Sequence, residues 1–230
     1  MKIEILYSDV CNLYADLENI YYLKKIYDNV QVFETKLNDK PRFIDNDIDF
    51  VYIGSCSFAK TKIVIDKLFS YREDIKKYIE GNKLFLVTGT ASEIFGKSII
   101  DENVTLEALG IFDYVSVRVN ERQNFLFLGK FNDIKIVGNK SQFFFLDNVK
   151  YDFIKVLKGY GNNKGDKNEG LKYKNFYMTS LLGPFLILNP LFCEYLFGKV
   201  KCDDKAFSAY NYRLKALEDS NVRIVMGDHG

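Results

Sequence analysis

The chain has 230 residues, 47% hydrophobic and 27% charged, with a net charge of +1 and acids and bases spread evenly along it. This is the balance of an ordinary globular protein, and it leaves no charged face for a nucleic acid or an anionic membrane. The opening MKIEILYSDVCN lacks the apolar core and cleavage site of a secretory signal, and no apolar run is long enough to span a bilayer, so residues 1–230 read as one cytoplasmic domain.

Residues 2–7 (KIEILY) predict a first strand, and residues 12–27 (NLYADLENIYYLKKIY) a helix with Leu13, Leu17, Ile20 and Leu23 at helical spacing. Residues 30–34 and 49–53 predict the next two strands, the latter running into Gly54-Ser55-Cys56-Ser57. Ser70 and Glu73 form a capping box for a helix through Glu80. Residues 83–87 (KLFLV) make an uninterrupted apolar strand, covered on both faces, that ends at Gly89; a helix is expected from about Ala91. Strands alternating with helices argue for a mostly parallel sheet. Four short β runs follow, at 114–120, 124–128, 134–137 and 143–146, as partly antiparallel additions. Residues 159–170 (GYGNNKGDKNEG) read as a loop, Pro184 and Pro190 flank a bend, and 203–217 predicts the last helix.

Few residues carry recognisable chemistry. Cys11, Cys56, Cys193 and Cys202 are scattered without a CxxC pair, and the single histidine is His229. They make a poor metal set and read as reduced thiols, so no metal or cofactor is expected. Ala91-x-x-x-x-Gly96-Lys97-Ser98 fits the loose phosphate-loop pattern, but Ser92, Glu93, Ile94 and Phe95 are too bulky for a cradle of backbone N–H groups. Glu93 would also set a carboxylate where phosphate belongs. The turn Val87-Thr88-Gly89-Thr90-Ala91 is shaped like the elbow that presents a nucleophile, yet its apex is glycine, which tolerates φ > 0 and carries no reactive atom. The loop at Gly159, Tyr160, Gly161, Asn162 and Asn163 suits a lid or a docking surface for a partner.

Several of these segments resemble one family. LKGYGNNKGDKNEGLKYKN (157–175), TSLLGPFLILNP (179–190), LYSDVCNLYADLENIYYLKKI (6–26) and LEALGIFDY (106–114) are similar to class I glutamine amidotransferases. The likeness is to the amidotransferase subunits of lipid II isoglutaminyl synthase and, beyond them, to cobyric acid synthase-type domains. It implies a flavodoxin-like three-layer sandwich, a mixed, mainly parallel sheet flanked by helices. It also implies a Mur-ligase-like synthetase as protein partner in cell-wall (lipid II) amidation. The family pattern places Gly89 where the nucleophilic cysteine belongs and Leu182 where the histidine precedes Gly-Pro. Gly54-Ser55-Cys56-Ser57 stands for the oxyanion loop, and Lys140-Ser141-Gln142 for a Glu-Asn-His stretch.

Glutamine hydrolysis needs a thiolate, a histidine and oxyanion donors. The resemblance therefore implies the fold without the reaction: a pseudoenzyme with no catalytic residues. A residual pocket is expected beyond the strand ends, lined by Gly54, Ser55, Cys56, Gly89, Thr90 and Leu182. That pocket could instead serve a small-molecule-binding module, or an enzyme with relocated catalytic residues. Cys56 is expected there as a bystander, unless the positive end of the helix expected near Thr90 points at its thiol.

Overall fold

The computed structural model describes residues 1–198 and 200–224; His229 lies outside them. Eleven strands form one sheet: β1 Lys2–Leu6, β2 Gln31–Thr35, β3 Phe50–Ile53, β4 Leu84–Thr88, β5 Ser98–Asp101, β6 Val104–Glu107, β7 Val115–Phe131, β8 Ile134–Asp147, β9 Asp152–Lys158, β10 Asn168–Tyr173 and β11 Phe176–Thr179. Their order is β2-β1-β3-β4-β11-β10-β9-β7-β5-β6, and β8 pairs with β7. The first five in that order run parallel. Every later contact is antiparallel except β5 with β7.

Side chains alternate across the parallel strands, as the pleat requires. Phe85 and Val87 of β4 enter one core with α2 (Phe58–Phe69) and α3 (Arg72–Glu80), while Leu86 enters the other. That second core holds α1 (Glu18–Ile26), α4 (Phe185–Leu188), α5 (Pro190–Phe197) and α6 (Asp204–Glu218). The result is the expected mixed α/β sheet covered on both faces, with the C-terminal ends of β1, β3, β4 and β11 opening together. Among the described residues, no helix is long and apolar enough to cross a membrane.

Five expectations are corrected. The first helix begins at Glu18 and not Asn12, because Ala15 turns to φ +55° and sends Asp16 into the interior. Ser70 and Glu73 form no capping box: the Ser70 hydroxyl donates to Lys67 O in the preceding helix, and Glu73 pairs with Lys76. That preceding helix, α2, was not anticipated, although its buried Thr61, Val64, Ile65 and Leu68 keep helical spacing. After β4 no α-helix forms. Residues Gly89–Glu93 make one 3₁₀ stretch, and the chain returns as β5 after Gly96 packs too closely on Tyr114 to carry a side chain. Finally, the four short β runs fuse into the β7–β8 hairpin, and the loop after β9 is shortened because β10 begins at Asn168.

Candidate functional site

Where the parallel strands end, a chain of buried polar groups replaces open space. The Asn19 amide donates to the Tyr52 hydroxyl (2.8 Å), Tyr52 lies 2.7 Å from the Thr88 hydroxyl, and Thr88 donates to Asp16 Oδ1 (3.2 Å). Ser55 Oγ donates to the same Asp16 oxygen (3.3 Å), and Tyr14 N–H donates to the other (3.0 Å). Burial raises the Asp16 carboxyl above its ordinary range despite these donors. Asn19 also accepts from Leu186 N–H (2.7 Å), fastening α4 to α1.

Gly89 sits at the apex with φ +60°, the left-handed conformation expected of an elbow. A β-carbon on it would overlap the Ser55 hydroxyl and reach Leu182 Cδ2 at 3.6 Å. The volume of a nucleophile's side chain is thus filled by Ser55, held in place by Asp16. Gly54 is equally closed, since a β-carbon there would come within 2.7 Å of the Asp16 carboxyl carbon. Leu182 is 5% exposed, and its N–H donates to Asn139 O (3.0 Å).

The expected pocket is therefore divided. Gly54, Ser55, Gly89 and Leu182 are packed floor, and of the six expected residues only Cys56 and Thr90 line the adjoining cavity of about 300 Å³. The Thr90 hydroxyl accepts from Cys56 N–H (2.9 Å) and donates to Cys56 O (2.6 Å). That engages an N–H of the loop that the resemblance assigns to oxyanion binding.

Across the cavity stands a buried ion pair that the sequence did not announce. Arg118 donates to Glu93 Oε1 (3.0 Å), Ser116 donates to Glu93 Oε2 (2.7 Å), and the guanidinium lies 3.6 Å from the centre of the Phe58 ring. Burial pushes the Glu93 carboxyl up to about 7, against the pull of Arg118. The phosphate-loop pattern has no cradle here, because Glu93 is buried at its centre and β5 follows it.

Cys56 departs from its expected surroundings. No helix starts at Thr90, but α2 starts at Phe58, so the thiol stands at a helix N-terminus after all. Its pKa is lowered, chiefly by the Cys11 thiol beside it, then by Thr61, and against the cost of burial; the Cys11 thiol is raised.

The loop after β9 is a tied segment and not a free lid. Tyr160 meets Phe125 edge-on, and Gly161 O accepts from the Lys140 ammonium (2.9 Å). Asn162, 1% exposed, accepts from Gly170 N–H (2.8 Å), and Asn163 donates to Asp147 (2.7 Å). Lys164, Gly165 and Lys167 remain exposed. The anchor is a pair with no exposure at all: Lys140 Nζ lies 3.2 Å from Glu169, which also accepts from Thr179 Oγ1 (2.7 Å) and Ser180 N–H (2.8 Å). Burial lowers the Lys140 pKa, and Glu169 offsets part of that.

No protein-family model matches the chain. It is 30% identical over 205 residues to the lipid II isoglutaminyl synthase (glutamine-hydrolyzing) subunit GatD of Staphylococcus aureus (strain N315), covering 86% of this chain and 83% of that one. It is 27% identical over 205 residues to the subunit of the same name from Streptococcus pneumoniae (strain ATCC BAA-255 / R6), covering 82% and 76%. A solved glutamine amidotransferase superposes with a TM-score of 0.58 at 11% identity, over 85% of this chain and 97% of that one, which establishes a shared fold.

Proposed function

This chain belongs to the GatD-like family of glutamine amidotransferase subunits, and from that premise we propose that it is a non-catalytic member, which binds or regulates a Mur-ligase-like synthetase in lipid II amidation. The observation that carries this reading is Ser55. With its hydroxyl in the space a nucleophile's side chain would fill, Gly89 cannot simply be exchanged for cysteine, and Leu182 offers no proton carrier. Without thiolate and imidazole, at most the weak residue of binding and oxyanion stabilisation remains. What the family framework still supplies is a folded subunit, which is what a partner recognises.

The test has two parts. Ammonia release from L-glutamine should stay at the buffer blank, for the protein alone and with whatever synthetase copurifies with the tagged chain from its native cell. Turnover of even ~1 s⁻¹, slow for an enzyme, would overturn the non-catalytic reading. Failure of any synthetase to copurify would remove the partner from it. The cavity beside Cys56 supports a second reading, a small-molecule-binding module, because it keeps a buried ion pair and open volume next to the filled elbow. Metabolite-dependent thermal stabilisation without a protein partner would favour that second reading.

A further inference from the structure

Cys11 and Cys56 lie on facing loops at the ends of the neighbouring parallel strands β1 and β3. The loops are tied by Leu13 N–H donating to Ser55 O (3.1 Å), and Gly54 packs so closely that a β-carbon would stand 2.9 Å from Cys11 O. The thiols are 0% and 1% exposed, and of the described cysteines only Cys56 lines one of the main cavities.

Around Cys56 the structure favours the thiolate. Ser57 is the N-cap of the 12-residue α2 and makes no side-chain cap bond; Lys60 N–H turns back to Ser57 O (2.8 Å), which leaves the Phe58 and Ala59 N–H groups at the positive end of the helix for a negative sulfur. Thr61 Oγ1 is 3.4 Å from Sγ. Asp16 and Glu93 oppose ionisation from the other sides, and Arg118 ties up the Glu93 charge.

The same cavity holds an unsatisfied acceptor. Gln142, 2% exposed, donates its amide N–H to Phe144 O (2.6 Å), while its amide oxygen has no partner. Buried amide oxygens are normally paired, so this one points to a ligand that donates a hydrogen bond. Arg118 lines the same cavity, and the guanidinium donors not turned to Glu93 suit a hydrogen bond to the leaving oxygen.

We propose that Cys56 and Cys11 form a dithiol site that is oxidised by small hydroperoxides. The Cys56 thiolate attacks the terminal peroxide oxygen, an S–O bond forms and the O–O bond breaks. The second oxygen leaves as an alkoxide or hydroxide and is protonated, leaving Cys56 as a sulfenic acid. The Cys11 sulfur then attacks Cys56 Sγ, the S–O bond breaks, and one water departs with the Cys11 proton. Two electrons pass from the two thiols to one peroxide, and one disulfide results. The hydroperoxide O–H provides the donor that Gln142 lacks, and a thiol only 1% exposed is out of reach of a bulky oxidant such as a peptide disulfide. The step is a single oxidation and does not depend on a synthetase partner.

The experiment treats the reduced full-length protein with one equivalent of hydrogen peroxide, tert-butyl hydroperoxide or oxidised glutathione, followed by non-reducing peptide mapping. Either peroxide should remove two of the four free thiols and yield a Cys11–Cys56 crosslinked peptide, while oxidised glutathione should leave both thiols free. Cys11→Ala should stop at a Cys56 sulfenic acid that dimedone traps. Gln142→Leu should slow peroxide oxidation without slowing iodoacetamide labelling of Cys56. In the wild type, Cys56 should react at least about tenfold faster than buried Cys193, because it stands at the positive end of α2. Cys56 reacting no faster than Cys193, or a crosslink forming only after urea, would overturn the site. Equal reaction with oxidised glutathione would overturn the assignment to hydroperoxides. The wild-type map decides the matter even if a variant fails to fold.

Discussion

Replacing Gly89 with alanine tests whether the elbow has been refilled. Alanine at φ +60° costs about 1 kcal/mol for the left-handed backbone alone. Its methyl group also occupies the place of the Ser55 hydroxyl, which must leave Asp16, and losing a buried hydrogen bond to a carboxylate costs about 2 kcal/mol more. Gly89→Ala should therefore destabilise the fold by about 3 kcal/mol, and Ser55→Ala by about 2. Ser55→Ala removes the obstructing oxygen and leaves only a β-carbon 3.2 Å from the new methyl. The double variant should then cost about 3 kcal/mol and not 5, a coupling of about 2. Urea unfolding of the four proteins with unchanged m-values measures the cycle. Additivity within ~0.5 kcal/mol, the usual result for independent sites, would refute the claim that Ser55 fills the space beside Gly89.

Three further outcomes follow from the same geometry. Glu93 titrates at about 7 in the fold against an ordinary 4.5, so its stabilising contribution is complete below about 4.5 and is lost as pH rises through 7. Between pH 4 and 8 the wild type should lose about 3 kcal/mol relative to E93Q in urea unfolding, and parallel pH profiles would contradict the assignment. Lys140→Met strands the buried Glu169 carboxylate and should cost roughly 3–5 kcal/mol; adding Glu169→Gln should recover most of it in the same assay. Gly89→Cys with Leu182→His should restore no measurable ammonia release, even with Ser55→Ala, because Thr90 still engages the Cys56 N–H.

The parallel half of the fold was legible because its cue is local. Apolar runs such as KLFLV ending in glycine mark strands buried on both faces, and Gly89 was readable as a turn because only its φ had to be inferred. What the sequence hid depends on partners far away in the chain. Asp16 lies inside a run with helical spacing, and nothing nearby reveals that Thr88 and Ser55 will draw it inward. Glu93 was read as an obstacle to phosphate, since its partner Arg118 lies 25 residues further on, in β7. The loop at Gly159–Asn163 suited a lid by its glycines and asparagines, but the Asn162 and Asn163 side chains tie it down. One cue was present and unused: the spacing Thr61, Val64, Ile65, Leu68 marks α2, and with it the helix end beside Cys56.

The proposed non-catalytic reading distinguishes a rebuilt site from one left to decay. An active site that had merely lost its nucleophile would keep the hole and the unpaired polar groups that once served the reaction. Here the elbow is filled by Ser55, and Asp16, Thr88, Tyr52 and Asn19 form a satisfied network beneath it. Among the described residues, only two buried side-chain atoms lack a hydrogen-bond partner, Arg72 Nε and Gln142 Oε1. One of the two belongs to a residue lining the cavity that stays open beside Cys56. Buried polar groups left unpaired cost stability, and a network this complete is the packed state that the proposed non-catalytic reading expects. The open volume and the spare acceptor are then best read together, as the part of the site not given over to structure.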